Sequence, residues 1–371
     1  MTFMRNLTCS ALERVMTRRE ATRLAAAAGL VVVAAPVVSR HAAAEGEVNY
    51  FTWAGYDIPE IVPSYIEKYD GPPAYSLFGE EEEALQKMRA GFIPDFAHPC
   101  VNSVGRWRDS GMFEPFDTSR ISNWSDLWPS LQNIDGTVFD GENWFVPFDW
   151  GNSSILYRTD LVDIDEESWT ILQDDRYSGR MAVFDSVDAV AGITGLIVGA
   201  ENPFSMTDDE LVKARTVLQE INANMLFWWT DQSAIEQALA SGELVAAYAW
   251  NSAVVSLKAQ GLPVKYMNPK EGIFTWVCGV MKLRDGPGDE TAAYDLVDAL
   301  LDPLSGQFLI DAYGYGHSNV KAFDLVSAER LDELGISDPQ ALLEGGVFFD
   351  QIPPDTRERL IAMFEEVKAG M

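Results

Sequence analysis

Seven aromatic side chains, Trp53, Tyr56, Trp150, Trp250, Trp276, Tyr313 and Tyr315, stand at or just beyond the ends of strand-like segments. A ring face attracts an ammonium group by roughly 0.5 to 2 kcal/mol, and several rings around an alkyl chain also remove its methylenes from water. As a set they suit an aliphatic amine, although core filling explains any single one equally well. Residues for covalent or metal chemistry are sparse. There is no GxSxG elbow, no GxxxxGK[ST] phosphate loop and no HExxH helix. His41, His98 and His317 are scattered, and Cys9, Cys100 and Cys278 include no CxxC pair, so no metal site is expected. Cys100 and His98, two residues apart on one strand face, form the only nearby nucleophile and base, and no catalytic residue is assigned. Gly314-Tyr315-Gly316 starts like a dinucleotide fingerprint, but Asn319 stands where the last glycine belongs. No cofactor is expected. The acid run Glu80 to Glu83 opens a helix, complements its macrodipole and is expected to face water.

The elements that would position these residues alternate between strand and helix. Val48 to Trp53 is β-prone, Ile58 to Tyr69 and Glu80 to Ala90 have helical periodicity, and Asp95 to Ala97 begins another strand. Trp144 to Tyr157 reads as one long extended segment that could cross between lobes. Beyond it, Met181 to Phe184, Leu244 to Trp250 and Thr275 to Met281 read as strands. Asp208 to Ile221, Ser233 to Ala240, Asp289 to Leu301 and Asp355 to Ala369 read as helices. Such alternation implies a mostly parallel sheet with helices on both faces and a ligand site at the carboxyl ends of the strands. At 371 residues, two lobes are expected.

The formal net charge of -30 repels nucleic acid and anionic lipid, so no nucleic-acid partner is expected. Residues 1 to 44 combine Arg5, Arg14, Arg18, Arg19 and Arg23 with the apolar run Leu24 to Val38 and the small residues Ala42-Ala43-Ala44. This is a cleaved signal-peptide pattern with a twin-arginine-like Thr17-Arg18-Arg19. Its removal takes six of 27 basic and two of 57 acidic residues, leaving 21 against 55 and a net of -34. Cys9 leaves with it, so Cys100 and Cys278 either pair or stay buried in an oxidising compartment.

From Val48 to Met371 the chain resembles the periplasmic spermidine- and putrescine-binding receptors of ABC importers. The likeness lies in FTWAGY, PFDWG, SWTIL with the following YSGR, VAAYAWN, NPKEG with Trp276, YGYGHSN and EEVKAG. It implies a two-lobed α/β periplasmic-binding-protein fold with a ligand cleft between the lobes. The hinge would lie where the chain crosses near Asp149 to Ile155 and Trp276 to Val280. Residues 45–151 and 276–325 would form lobe 1 and residues 152–275 lobe 2, with residues 326–371 packing on lobe 2.

Carried over residue by residue, the resemblance places the aromatic walls on Trp53, Tyr56, Trp250, Trp276 and Tyr315. Cys278 stands where an acid is expected, Cys100 replaces a cleft serine and Asn102 its tyrosine neighbour. Ser186 and Ala189 replace an acidic pair, with Asp185 and Asp188 one residue off. Asp185, Asp350 and Asp149 are then the expected counter-charges. The implied function is a periplasmic, monomeric receptor that delivers a polyamine or related small amine to a membrane permease. A zwitterionic amine of the 4-aminobutyrate kind is the rival. It would use Asn102, Asn152 or Asn251 as donors, and an arginine pointing into the cleft would favour it. An extracytoplasmic enzyme is the distant alternative.

Overall fold

The computed structural model describes residues 47–370, and the expected leader lies outside them. Strand β1 (Asn49–Trp53) is flanked in parallel by β2 (Ala74–Phe78) and β3 (Phe96–Ala97). Residues 58–69 do not form one helix. Pro63 lacks an amide hydrogen and disfavours helical backbone at Val62, so a 3-10 turn at Pro59–Ile61 precedes α1 (Pro63–Tyr69). Helix α2 (Glu81–Arg89) buries Ala84, Leu85 and Met88, with acids in its first turn and Lys87 and Arg89 in its last. Helix α3 (Val101–Asp109) follows β3 and buries Val104 and Trp107.

The long extended segment is β4 (Val146–Arg158), thirteen residues buried at every position but the last. On its far side, β5 (Met181–Phe184), β6 (Met225–Trp229) and β7 (Ala246–Trp250) alternate with four helices. These are α4 (Val187–Val198), α5 (Asp208–Asn224), α6 (Gln232–Ser241) and α7 (Ser252–Ala259). A capping box between Thr207 and Glu210 starts α5. Strand β8 (Phe274–Leu283) returns beside β4, and α8 (Glu290–Leu300) and α9 (Pro354–Lys368) follow.

The strand order is β2-β1-β3-β8-β4-β7-β5-β6. Both flanks are parallel, as alternation implies, but β4 runs antiparallel to β7 and β8, and β8 antiparallel to β3. The centre departs from a mostly parallel sheet because β4 and β8 carry the chain across it in opposite senses. One core gathers apolar side chains of residues 155–274 with Ile352, Leu360 and Phe364. Two more clusters gather residues 48–150 with 276–343. The stretch after residue 325 divides, since Val326, Ile336 and Leu343 pack with Phe51 and Met281, whereas α9 packs in the other core. Among the described residues no helix is long and apolar enough to cross a membrane.

At the crossing, Gly151 pairs with Trp276, whose indole lies over the glycine. A Cβ at Gly151 would stand 2.8 Å from Asn251 Oδ1 and closer still to Trp276 Cζ2. Gly151→Ala is therefore expected to lower stability by about 1 to 3 kcal/mol through overpacking. Chemical denaturation measures this, and an unchanged midpoint would show that the crossing has slack.

Candidate functional site

The carboxyl ends of the strands on both flanks face one cavity of about 450 Å³. Trp53 and Tyr56 reach it from the end of β1, Trp250 from the end of β7, Trp276 and Cys278 from β8, Tyr313 from the end of the π-helical turn Leu309–Tyr313, and Tyr315 from just beyond that turn. Cys100 and Asn102 line it at the start of α3, and Ser186 and Asp188 at the start of α4. The rings form two edge-to-face pairs, Trp53 with Trp250 at 6.1 Å and Trp276 with Tyr315 at 4.9 Å between centroids. Trp150 is not among them. It is buried in the core, stacks on Phe323 and donates its indole N–H to the His317 carbonyl at 3.2 Å.

A polar chain backs the Trp250 wall. Ser252 Oγ meets the Tyr315 hydroxyl at 2.9 Å and accepts from Gln232 Nε2 at 2.8 Å. Gln232 Oε1 accepts the Trp250 backbone N–H at 2.9 Å. Glu236 accepts from Gln232 Nε2 at 3.2 Å and from Ser256 Oγ at 2.6 Å. On the opposite wall the Tyr56 hydroxyl donates to Asp149, which also faces His98 Nε2 at 3.3 Å. His98 Nδ1 lies 2.8 Å from the Tyr50 hydroxyl and 2.9 Å from Thr52 Oγ1. Burial, reinforced by Asp149, holds the Tyr56 hydroxyl well above its ordinary pKa.

None of the three expected counter-charges lines the cavity. Asp149 lies fully buried beneath Tyr56. The Asp185 backbone N–H continues the ladder by bonding the Trp229 carbonyl at 2.8 Å. Side-chain alternation then sends Asp185 away from the cavity that Phe184 and Ser186 face, and it pairs with Lys368 at 2.9 Å. Asp350 is exposed and accepts a long contact from Asn202 at 3.4 Å.

Four other acids line it: Glu81, Asp188, Asp231 and Glu236. Each sits in or beside the first turns of a helix that follows a strand, a position the sequence displays without revealing which face the side chain takes. The acid run expected to face water splits accordingly. Glu80 caps α2 through the backbone N–H groups of Glu82 and Glu83, while Glu81 turns inward and is 6% exposed. Its carboxylate accepts from the Cys100 backbone N–H at 2.6 Å and from Ser103 Oγ at 2.8 Å. Burial, then the neighbouring Asp188, pushes Glu81 up to about 7, and Glu80 is pushed to about 7 by burial and Glu81. Asp188 goes the other way. Burial raises it, but the Arg357 guanidinium outweighs this and holds it below the ordinary value.

Cys100 and Cys278 form a disulfide in the cavity wall. Cys100 is thus unavailable as a nucleophile, and His98 is turned to Tyr50, Thr52 and Asp149. Asn152 and Asn251 donate to backbone carbonyls of Phe274 and Gly314, so only Asn102 of the three amides lines the cavity. Among the described residues no group of three or more His, Cys, Asp or Glu side chains converges to hold a metal.

Residues 77–333 match the family model described as bacterial extracellular solute-binding protein. The putrescine-binding periplasmic protein PotF of Escherichia coli (strain K12) is 24% identical over 331 residues, spanning 84% of this chain and 89% of that protein. The spermidine/putrescine-binding periplasmic protein of the same organism is 25% identical over 294 residues, spanning 78% and 82%. The solved spermidine/putrescine ABC transporter substrate-binding protein PotD of Streptococcus pneumoniae superposes with a TM-score of 0.70 at 18% identity, covering 87% of this chain and 99% of that one.

The inward Glu81 generates a pH test. Its pKa is about 7 in the folded chain against 4.5 for the ordinary group, so between these values the unfolded chain has released a proton that the folded chain retains. Its contribution to stability is fully present below about pH 4.5 and is lost as pH rises through about 7. Glu81→Gln is expected to flatten this fall, by on the order of 2 kcal/mol between pH 5 and 8. Glu80 still titrates in the variant and leaves part of the slope. Parallel melting-temperature profiles for the parent and the variant decide this, and coincident slopes would show that Glu81 is solvated.

Proposed function

The chain belongs to the bacterial extracellular solute-binding proteins, and from that membership we propose that it is the periplasmic receptor of an ABC importer for a small aliphatic amine. The observation that carries this reading is the joining of paired aromatic rings with Asp231 and Glu236 in the lining of one cavity. An ammonium group needs a carboxylate partner when desolvated, and its alkyl chain needs apolar cover. The acids answer the first need, and Trp53, Trp250, Trp276 and Tyr315 the second. The polyamine ligands named for the relatives support the class of molecule. A disulfide between residues 178 apart in sequence agrees with an oxidising compartment.

In this proposal the lobes meet at the crossings near residues 151/152 and 275/276, and closure about them brings both walls onto the ligand. The C-terminal stretch is shared, with α9 moving with lobe 2. The closed receptor then docks on a membrane permease, which takes the amine.

Thermal shift against a panel of polyamines, amino acids and betaines tests the reading, because a ligand that binds only the folded state raises the melting temperature. An amine is expected to give the largest shift, and a panel in which no amine shifts the transition would overturn the proposal. Trp276→Leu keeps apolar volume but discards the ring face. It is expected to weaken the best amine by roughly 5- to 150-fold, equivalent to about 1 to 3 kcal/mol, in isothermal titration. Binding as tight as the parent's would move the site elsewhere.

A further inference from the structure

Resting on the amine reading above, we propose that the cleft accepts a single ammonium group and that the far end of its ligand is an uncharged oxygen acceptor such as a carboxamide. The four acids of the wall fall into two groups with different partners. Asp231 accepts from the Ser233 backbone N–H, and Glu236 from Gln232 and Ser256. Among the described residues neither has a lysine or arginine within ion-pair distance. This end, beside Trp250 and Tyr315, is an anionic acceptor without its own cation.

The other end already holds one. Arg357 reaches from α9 and places two N–H groups on the two oxygens of Asp188, at 3.1 and 2.7 Å. Asn102 Nδ2 donates a third hydrogen bond to Asp188 at 3.1 Å. Both members of the pair are more than nine-tenths buried. Arg106 pairs beside it with Glu82, which also lies 4.0 Å from Arg357 Nε, so guanidinium and carboxylate are matched there. Glu81, which burial and Asp188 raise to about 7, accepts from the Cys100 backbone N–H and Ser103 Oγ and has no guanidinium partner among the described residues. An incoming second ammonium would thus meet a carboxylate whose cation is built into the fold, and would be repelled by that guanidinium.

Isothermal titration of the full chain with 4-aminobutanamide, butane-1,4-diamine and 4-aminobutanoate tests this. The amide is expected to bind at least about tenfold tighter than the diamine. A diamine that binds as tightly or more tightly overturns the inference and leaves the amine reading standing. An aminobutanoate tighter than the amide overturns the uncharged far end, and no binding by any of the three overturns both readings. Arg357→Gln releases Asp188 and is expected to shift preference toward the diamine by about tenfold. Should that variant fail to fold, Asp188→Asn keeps Arg357 and is expected to shift preference toward 4-aminobutanoate instead. Unchanged ratios in whichever variant folds, confirmed by its far-ultraviolet spectrum, would overturn the assignment of Arg357 as the internal cation.

Discussion

One strand, β4, belongs to two cores at once, and most of the cleft follows from that. Its thirteen residues are buried up to the last, with antiparallel β8 along its first half and antiparallel β7 along its second. The registers fix which side chains meet. Trp276 lies opposite Gly151, Trp250 opposite Ser153 and Cys278 opposite Asp149. A carboxylate in the middle of such a strand cannot stay unpartnered, since burying one unpaired costs several kcal/mol. Tyr56 and His98 supply its partners. The ring of Tyr56 is therefore held in the cavity wall by a charge that never reaches the cavity.

The same accounting of partners sorts the acids of the wall. A buried ion pair such as Asp188 with Arg357 is no strong source of stability, because desolvating both charges offsets most of their attraction. Its consequence here is electrostatic selection. Asp188 is held below its ordinary pKa by Arg357 and is balanced by it, while Glu81, buried and beside Asp188, retains its proton to higher pH. Asp231 and Glu236 have only neutral partners. Of the four acids in the cavity, Asp188 alone has a guanidinium partner among the described residues.

How much of this could be read from the sequence depended on range. Most strands and helices follow from local periodicity, though not β2 or β6, and Trp53, Trp250, Trp276 and Tyr315 were legible because strand ends face the cleft in this architecture. Side-chain direction was not legible at single-residue precision. Asp185 stands between Phe184 and Ser186, and the alternation that aims those two inward turns it outward to Lys368. Glu81 was hidden in an acid run whose macrodipole explanation is right for Glu80 and wrong for its neighbour. Arg357 had no local signal, because its partner lies 169 residues away and only the packing of α9 brings them together.

The disulfide completes the division of labour in the wall. It joins residues 178 apart, and closing so long a loop is worth on the order of 5 kcal/mol in the chain-entropy limit. It also fastens the start of α3 to β8, so Asn102, in the first turn of that helix, is held where it can reach Asp188 on α4. Asn102 sits on α3, whose Val104 and Trp107 pack in one core, and Asp188 on α4, whose Ala189 and Val190 pack in another, so this hydrogen bond joins the two. The disulfide itself presents an uncharged, polarisable surface beside Trp276. The wall thus combines a disulfide and aromatic rings with one internally paired acid, Asp188, and three acids that have no guanidinium partner among the described residues. A ligand that fits must share that asymmetry.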